Sequence, residues 1–265
     1  MSSSFKKTLL VAFSICFIAS ILVSTAAVGL KPIQDNNKKI DLLKNILIVG
    51  DIYEDGIDIN KVYEEKITPE IIELKTGNVI PKEQYDKLVN TEDFDILKVA
   101  NSEKWGTKIP EDKDIAKIKR KPKVMIIYKV MNNDEVEKYI LPIYGKGLWS
   151  TMFAFISLNK DLHTIEGISF YEHGETPGLG GEVDNPKWKK LWVGKQAYDV
   201  NGNLKIRVIK RKVDPDSPEA KYEVDGLSGA TLTTNGVNNL VRFWLGDEGY
   251  GPFIKKLRGE MNENI

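Results

Sequence analysis

The sequence is poor in the residues that hold metals and disulfides. It contains one cysteine and two histidines in 265 residues. An intramolecular disulfide is therefore impossible, and the usual zinc and iron–sulfur ligand sets, which draw on several cysteines or histidines, are excluded. Any redox chemistry of this chain must come from an organic cofactor or from a partner protein.

The chain also lacks an excess of charge of either sign. Lys and Arg together number 38, as do Asp and Glu, so the formal net charge is zero. A nucleic-acid-binding surface needs a clustered basic excess, and the composition gives no indication of a broad one. A short basic cluster is interpreted as the solvated face of a strand, with a docking surface as the alternative; it consists of Lys205, Arg207, Lys210, Arg211 and Lys212.

One long hydrophobic run is present near the N-terminus. Residues 8–30, 23 positions in all, carry no charged side chain and are preceded by Lys6-Lys7. At about 1.5 Å per residue this run spans a hydrocarbon core of roughly 30 Å, and it exceeds the apolar region of a signal peptide, roughly 7–15 residues. The sequence predicts an uncleaved transmembrane helix over 8–30 behind a short tail, 1–7. A signal peptide cleaved near the small residues 24–26 is the alternative, and charge alone leaves the orientation open.

The rest of the chain predicts an α+β fold. We expect residues 31–118 to hold a juxtamembrane helix, beginning near Ile40 after a polar linker over 34–39, and then helices and loops. Residues 119–265 are expected to form one domain, with a mostly antiparallel twisted sheet and flanking helices. Its predicted strands are 124–130, 139–144, 151–158, 165–171 and 204–209. Its predicted helices are a turn or helix from Asn185-Pro186, an amphipathic helix over 235–245 and a short last helix over 253–257.

The most informative segment is 225–234, which reads Asp-Gly-Leu-Ser-Gly-Ala-Thr-Leu-Thr-Thr. The small residues Ser228, Gly229 and Ala230 let backbone amides approach a phosphate closely. The predicted helix behind them adds N–H groups without partners and a positive dipole end. Thr231 places a hydroxyl beside these groups, and Asp225 is expected to fix the turn. The segment therefore predicts a phosphate-binding turn that contains a nucleophilic threonine.

The same segment nearly matches the nucleophile elbow of serine hydrolases, G-x-S-x-G. In that fold an acid and then a histidine follow the serine. Here both histidines, His163 and His173, precede Ser228. The order argues against a hydrolase, although a convergent triad in another order remains an alternative.

Two glycine-rich loops are further candidates, each with an ordinary turn as the plain interpretation. Residues 173–181 read His-Gly-Glu-Thr-Pro-Gly-Leu-Gly-Gly, where Glu175 and Thr176 have the heteroatoms to bind a planar ligand. Residues 145–152 place Trp149, a large flat side chain, beside hydroxyl groups. His173 is interpreted as a structural surface residue, and Trp188 and Trp192 as packing residues.

These segments resemble known proteins. The turn 225–234 is similar to the flavinylation motif of the FMN-binding domain family. The anchor 7–32, the segments 147–152 and 175–180, and the aromatic C-terminal region 243–253 resemble, within that family, the C subunits of the sodium-translocating NADH:quinone oxidoreductase. The region 53–118 matches less clearly.

The resemblance implies that this chain is an electron-transferring subunit of a larger enzyme and is not active alone. Thr231 would carry FMN through a phosphodiester, installed from FAD by a separate flavin transferase with magnesium. Ser228, Gly229, Ala230 and Asp225 would form the recognition turn. Other residues would surround the flavin ring: Glu175, Thr176, Leu179 and Gly180 on one side, and Trp149, Ser150 and Thr151 on the other.

The resemblance also implies a place in the cell. The chain would be a single-pass protein of the cell inner membrane with its C-terminal domain in the periplasm, in a complex that oxidises NADH, reduces ubiquinone and exports sodium. The alternatives are the G subunit of an Rnf-type complex, another membrane-anchored flavinylated electron carrier, and an extracytoplasmic sensor or assembly module.

Overall fold

The structure is a computed structural model that describes residues 3–263. Residues 1–2 of the predicted tail and residues 264–265 of the predicted domain lie outside the described part. The chain forms two compact units, one that ends at Leu42 and one that begins at Leu43.

The hydrophobic run lies in one helix, α1, Ser3–Val49. The side chains of residues 5–39 are exposed, and the helix is long and apolar enough to cross a membrane. The predicted linker over 34–39 and the separate helix from Ile40 are wrong, because α1 continues through both. No glycine or further proline interrupts the segment between Pro32 and Val49, and Gln34, Lys38 and Lys39 lose little rotamer freedom in a helix.

The second unit is built on a five-stranded sheet with the order β1-β4-β5-β6-β7, in which every neighbouring pair is antiparallel. Its strands are Ile67–Glu73 (β1), Val124–Asn132 (β4), Glu135–Lys146 (β5), Thr151–Asn159 (β6) and Ile165–Glu172 (β7). Two small sheets lie beside it: an antiparallel pair, Gly106–Lys108 (β2) with Arg120–Pro122 (β3), and a parallel pair, Arg207–Ile209 (β8) with Glu223–Asp225 (β9). The α+β architecture with a mostly antiparallel sheet is confirmed.

Helices flank the sheet, and two of them complete its core. The helices after α1 are Ile59–Lys66 (α2), Ile96–Asn101 (α3), Pro186–Lys190 (α4), Thr231–Leu245 (α5) and Gly251–Glu263 (α6). α5 is fixed to β5 by Trp244, a fully buried side chain whose Nε1–H donates to the carbonyl of Tyr144 at 2.7 Å. Tyr250, just before α6, donates to the carbonyl of Pro142 at 2.6 Å. The site described below begins where α5 begins.

Several predicted boundaries differ from the structure. The region 31–118 contains strands as well as helices and loops, among them the seven-residue edge strand β1. The strand predicted over 204–209 is reduced to β8, three residues long. Trp188 lies in α4 whereas Trp192 lies beyond it, and both side chains are buried, as expected of packing residues.

Candidate functional site

The first residue of α5 is Thr231, and its side chain is exposed. The capping position before it is Ala230, which has no side-chain acceptor. By contrast, α2, α3 and α4 are each capped by a side chain: Asp58, Asp95 and Asn185 accept from the backbone of their own first turn. Since the first N–H groups of a helix have no partner within it, the start of α5 is suited to an anion from outside the chain.

The turn before α5 is held from both ends. Gly229 has a φ of +71°, a conformation that favours glycine. The N–H of Leu227 donates to Thr234 Oγ1 at 3.0 Å, which closes the turn onto the helix. Asp225 accepts from the N–H of Val213 at 2.8 Å through Oδ1, and its carbonyl accepts from Trp188 Nε1 at 2.8 Å. The turn thus presents Ser228, Gly229 and Thr231 at the surface.

A buried carboxylate joins this helix to both glycine-rich loops. Glu175 is only 5% exposed. Its Oε1 accepts from the N–H groups of Trp149 and Ser150 at 3.0 and 3.2 Å. Its Oε2 accepts from the N–H of Leu148 at 3.1 Å and from the hydroxyl of Thr233 at 2.6 Å. Three successive amides therefore surround one carboxylate, as in the anion-binding nests of proteins.

Hydrogen bonding keeps this carboxylate ionised. Burial alone would raise the pKa of Glu175, but the bonds from Thr233 and from the amides of residues 148–150 outweigh it, so the pKa is lowered. Charge-assisted bonds of this kind are stronger than those between neutral groups. The three segments are consequently held together by a charge rather than by apolar packing alone.

Glycines allow the two glycine-rich loops and α5 to approach one another closely. A Cβ on Gly147 would lie 2.5 Å from Glu175 Oε1, and one on Gly180 would lie 2.5 Å from Thr233 Oγ1. A Cβ on Gly236, inside α5, would lie 2.5 Å from the carbonyl oxygen of Lys146. These distances are shorter than any side chain tolerates, so the loops and the helix can meet in this way only where these residues are glycine.

Large apolar side chains are exposed around the same turn. Leu148 and Trp149 are 44% and 68% exposed, and Leu179 and Leu232 are 45% and 59% exposed. Leu179 lies beside Gly229, since a Cβ on that glycine would be 3.2 Å from Leu179 Cδ2. Exposed apolar side chains that cluster at one place mark binding sites. The site therefore combines an anion-binding helix end with an apolar surface.

Known proteins resemble this chain over the segment that contains the site. The model of the FMN-binding domain family matches residues 147–246, which begin at the Trp149 loop and end just after α5. The C subunit of the Na(+)-translocating NADH-quinone reductase of Pseudomonas aeruginosa is 44% identical over 95% of both chains. That of Vibrio parahaemolyticus is 42% identical over 97% of both.

The chain belongs to this C-subunit family. Solved structures agree: the crystal structure of NqrC from Shewanella oneidensis has a TM-score of 0.75 at 34% identity and covers 84% of this chain and 99% of its own. The C subunit from Parabacteroides distasonis has a TM-score of 0.65 at 25% identity over 85% of this chain and 96% of its own. The matches extend through the region 53–118, where the sequence resemblance was less clear.

The structure brings the two glycine-rich loops and the start of α5 together around Glu175. Both oxygens of Glu175, which was expected to bind the flavin ring, accept from donors of the chain itself. Thr176 is exposed, and its carbonyl accepts from the N–H groups of Leu179 and Gly181. Thr151, half-buried, is the first residue of β6 opposite Lys146.

Other residues have roles that the sequence did not reveal. Thr233 and Thr234 are 1% exposed, and their hydroxyls hold the carboxylate of Glu175 and the turn, respectively. Both ring nitrogens of His173 are occupied, by Asp184 Oδ2 at 2.7 Å and the N–H of Glu175 at 3.2 Å, which agrees with a structural histidine. Among the described residues no cluster of metal-ligating side chains is present.

Proposed function

We propose that this C subunit carries FMN covalently, through a phosphodiester to Thr231 Oγ1, and relays electrons within a sodium-pumping NADH:ubiquinone reductase. The observation that carries the proposal is the exposed Thr231 hydroxyl at the uncapped start of α5, inside a family match to an FMN-binding domain. The chemistry that FMN supplies when bound is electron transfer between centres of partner subunits.

The residues fit such a group. The N–H groups of the first turn of α5 suit a phosphate, and Gly229 and Ser228 leave its approach open. The apolar side chains of Trp149, Leu179 and Leu232 offer a surface for a flat ring system. Ser150 donates to Glu175 at 3.4 Å and accepts from the N–H of Gly174 at 2.7 Å, so its hydroxyl fixes the two loops on which that surface is built.

Attachment requires help from outside the chain. An aliphatic hydroxyl is a weak nucleophile and needs a base and neutralisation of the charge at phosphorus. His173 is not free to act as that base, because its ring nitrogens are engaged by Asp184 and by the N–H of Glu175. A flavin transferase that uses FAD and magnesium would supply both. The work of this chain is to present Thr231, while Thr233 and Thr234 are buried and engaged.

The same proposal places the chain in the cell. The apolar helix α1 and the membrane-anchored family support a single-pass protein. We propose the cell inner membrane, with α1 uncleaved and in contact with lipid and the flavin domain in the periplasm, where a covalent bond prevents loss of the flavin by dilution. Other subunits of the reductase would be its permanent partners.

The test is expression of the full chain together with a flavin transferase, followed by a denaturing gel viewed under ultraviolet light and by intact mass measurement. Fluorescence should survive denaturation, with a mass gain of FMN minus water. The Thr231→Ala variant should lose both signals. The Thr76→Ala variant, which removes an exposed threonine far from the turn in sequence, should keep them.

A colourless wild-type chain in the presence of an active transferase would refute the proposal. That result would favour the alternative of an extracytoplasmic sensor or assembly module. A Thr231→Ala variant that stays fluorescent and keeps the mass gain of FMN minus water would instead show that another residue is the acceptor.

A further inference from the structure

We infer that Glu175 is a positioning residue: its carboxylate clamps the Trp149-bearing turn to the first turn of α5 and so holds the flavin-facing surface in place beside Thr231. The inference rests on the proposed function. It assigns to Glu175 a role in organising the site rather than in touching the flavin.

The partners of Glu175 come from two separate segments of the chain. The carboxylate accepts from residues 148–150 on one side and from Thr233 on the other, at distances between 2.6 and 3.2 Å. Thr233 is two residues beyond Thr231 on the same helical turn. Trp149 and Thr231 are thus joined through one carboxylate and one hydroxyl.

The backbone amides of this turn depend on Glu175, although the hydroxyl of Ser150 also accepts from the N–H of Gly174 at 2.7 Å. Trp149 is 68% exposed, so its own ring contributes little packing. Within the turn itself one backbone bond is made, from the N–H of Gly147 to the carbonyl of Ser150 at 2.9 Å. The amides of residues 148–150 point instead to Glu175. If the carboxylate is removed, the donors of three part-buried hydrogen bonds lose their acceptor, which destabilises the turn.

Glutamine cannot replace the carboxylate of Glu175. Oε1 accepts from two backbone N–H groups, those of Trp149 and Ser150, and Oε2 accepts from that of Leu148. Whichever position the amide nitrogen of glutamine takes, its N–H groups face at least one backbone N–H. Two donors then oppose each other, and the turn is released on that side.

The first measurement is hydrogen exchange in the full chain without flavin. Glu175→Gln should accelerate exchange of the amides of residues 148–150 by about tenfold or more, because their acceptor is lost. The matched control is Glu172→Gln, which removes the same charge from an exposed position at the end of β7 and should leave these amides unchanged. Thr233→Val keeps the carboxylate and its charge and should give a smaller acceleration, so the clamp is tested even if Glu175→Gln fails to fold.

The second measurement uses the flavin-loaded chain. Acrylamide, a neutral quencher, should quench the flavin fluorescence of Glu175→Gln and Thr233→Val more strongly than that of wild type and Glu172→Gln, because the ring is less well covered. Unchanged exchange at residues 148–150 would overturn the clamp. Faster exchange with unchanged quenching would overturn its positioning role while leaving the covalent flavin intact. A wild-type chain without flavin would overturn the proposed function, and the positioning role with it.

Discussion

Thr231 and Thr233 lie two residues apart on the first turn of α5, yet only Thr231 offers its hydroxyl to the surface. Thr233 is 1% exposed and donates to Glu175 Oε2 at 2.6 Å. A helix rotates by about 100° per residue, so two residues are enough to turn one side chain outward and the other into the site. The fold itself thus distinguishes the proposed acceptor from its neighbour.

This relationship predicts which hydroxyl a transferase can modify. Thr231→Ser should remain flavinylated, because a primary hydroxyl occupies the same exposed position. Thr231→Ala should not be modified at Thr233 or Thr234, since both are buried and hydrogen-bonded. Peptide mapping of the purified variants by mass spectrometry measures this. Flavin on Thr233 in the Thr231→Ala variant would contradict the burial argument.

Gly236 gives a prediction about the contact between α5 and the Trp149 loop. Replacing an interior helical glycine by alanine normally stabilises a helix by roughly 0.5–1 kcal/mol. Here the new Cβ would lie 2.5 Å from the carbonyl oxygen of Lys146 and 3.0 Å from Gly147 Cα. Gly236→Ala should therefore lower the free energy of unfolding by about 1–3 kcal/mol.

The control for this prediction is Gly259→Ala in α6, where no atom lies within 4 Å of the added Cβ. It should leave the free energy of unfolding unchanged or raise it by up to about 1 kcal/mol. Urea unfolding of both variants gives the comparison. If Gly236→Ala were as stable as Gly259→Ala, α5 would not lie as close to this loop as the structure has it.

The sequence predicted the central strands and the turn before α5 because both depend on neighbouring residues. Apolar runs such as 124–130 signal strands locally, and small residues before Thr231 signal a turn. β1 was missed because Pro69 and two glutamates interrupt it. The structure explains how the proline is tolerated: β1 is the edge strand of the sheet, where a proline costs no hydrogen bond to a further strand.

The role of Glu175 could not be predicted for a different reason. Its partners are 25 to 27 positions away at the Trp149 loop and 58 positions away at Thr233. No local pattern encodes contacts of that range, since they arise only when β5, β7 and α5 are assembled. The glycine spacing around residues 147 and 180 was the one available signal, and it indicated a ligand rather than a carboxylate of the chain itself.

The hydrogen bonds of Asp86, in the region 53–118, predict that the stability of the fold depends on pH. Its Oδ2 accepts from Lys104 Nζ and from Trp105 Nε1, both at 2.7 Å. The hydrogen bond from Lys104, followed by that from Trp105, lowers the pKa of Asp86 well below its usual range. A lowered pKa stabilises the fold at pH values above the unfolded pKa of about 3.9, and this stabilisation is lost as the pH falls towards the folded pKa.

Asp86→Asn should therefore be less stable than wild type at pH 7, and the difference should shrink as the pH is lowered below about 4. Urea unfolding of both proteins over a pH series measures the difference. The control is Asp112→Asn, an exposed aspartate of the same region, which should show no such trend. A difference that stays constant down to low pH would mean that Asp86 does not hold its partners as a carboxylate.

The last prediction concerns Lys138, which lies in the second unit beside the end of α1. It is a lysine only 8% exposed, and its Nζ donates to the carbonyl of Gly50 at 3.1 Å, one residue after α1 ends. A cation at a helix C-terminus binds carbonyls that have no partner in the helix. Lys138→Met keeps the length of the side chain but removes the donor, so it should lower the free energy of unfolding by about 1–3 kcal/mol. Lys160→Met, at an exposed position, is the matched control, and equal stability of the two variants in urea would show that the buried ammonium group does not stabilise this helix end.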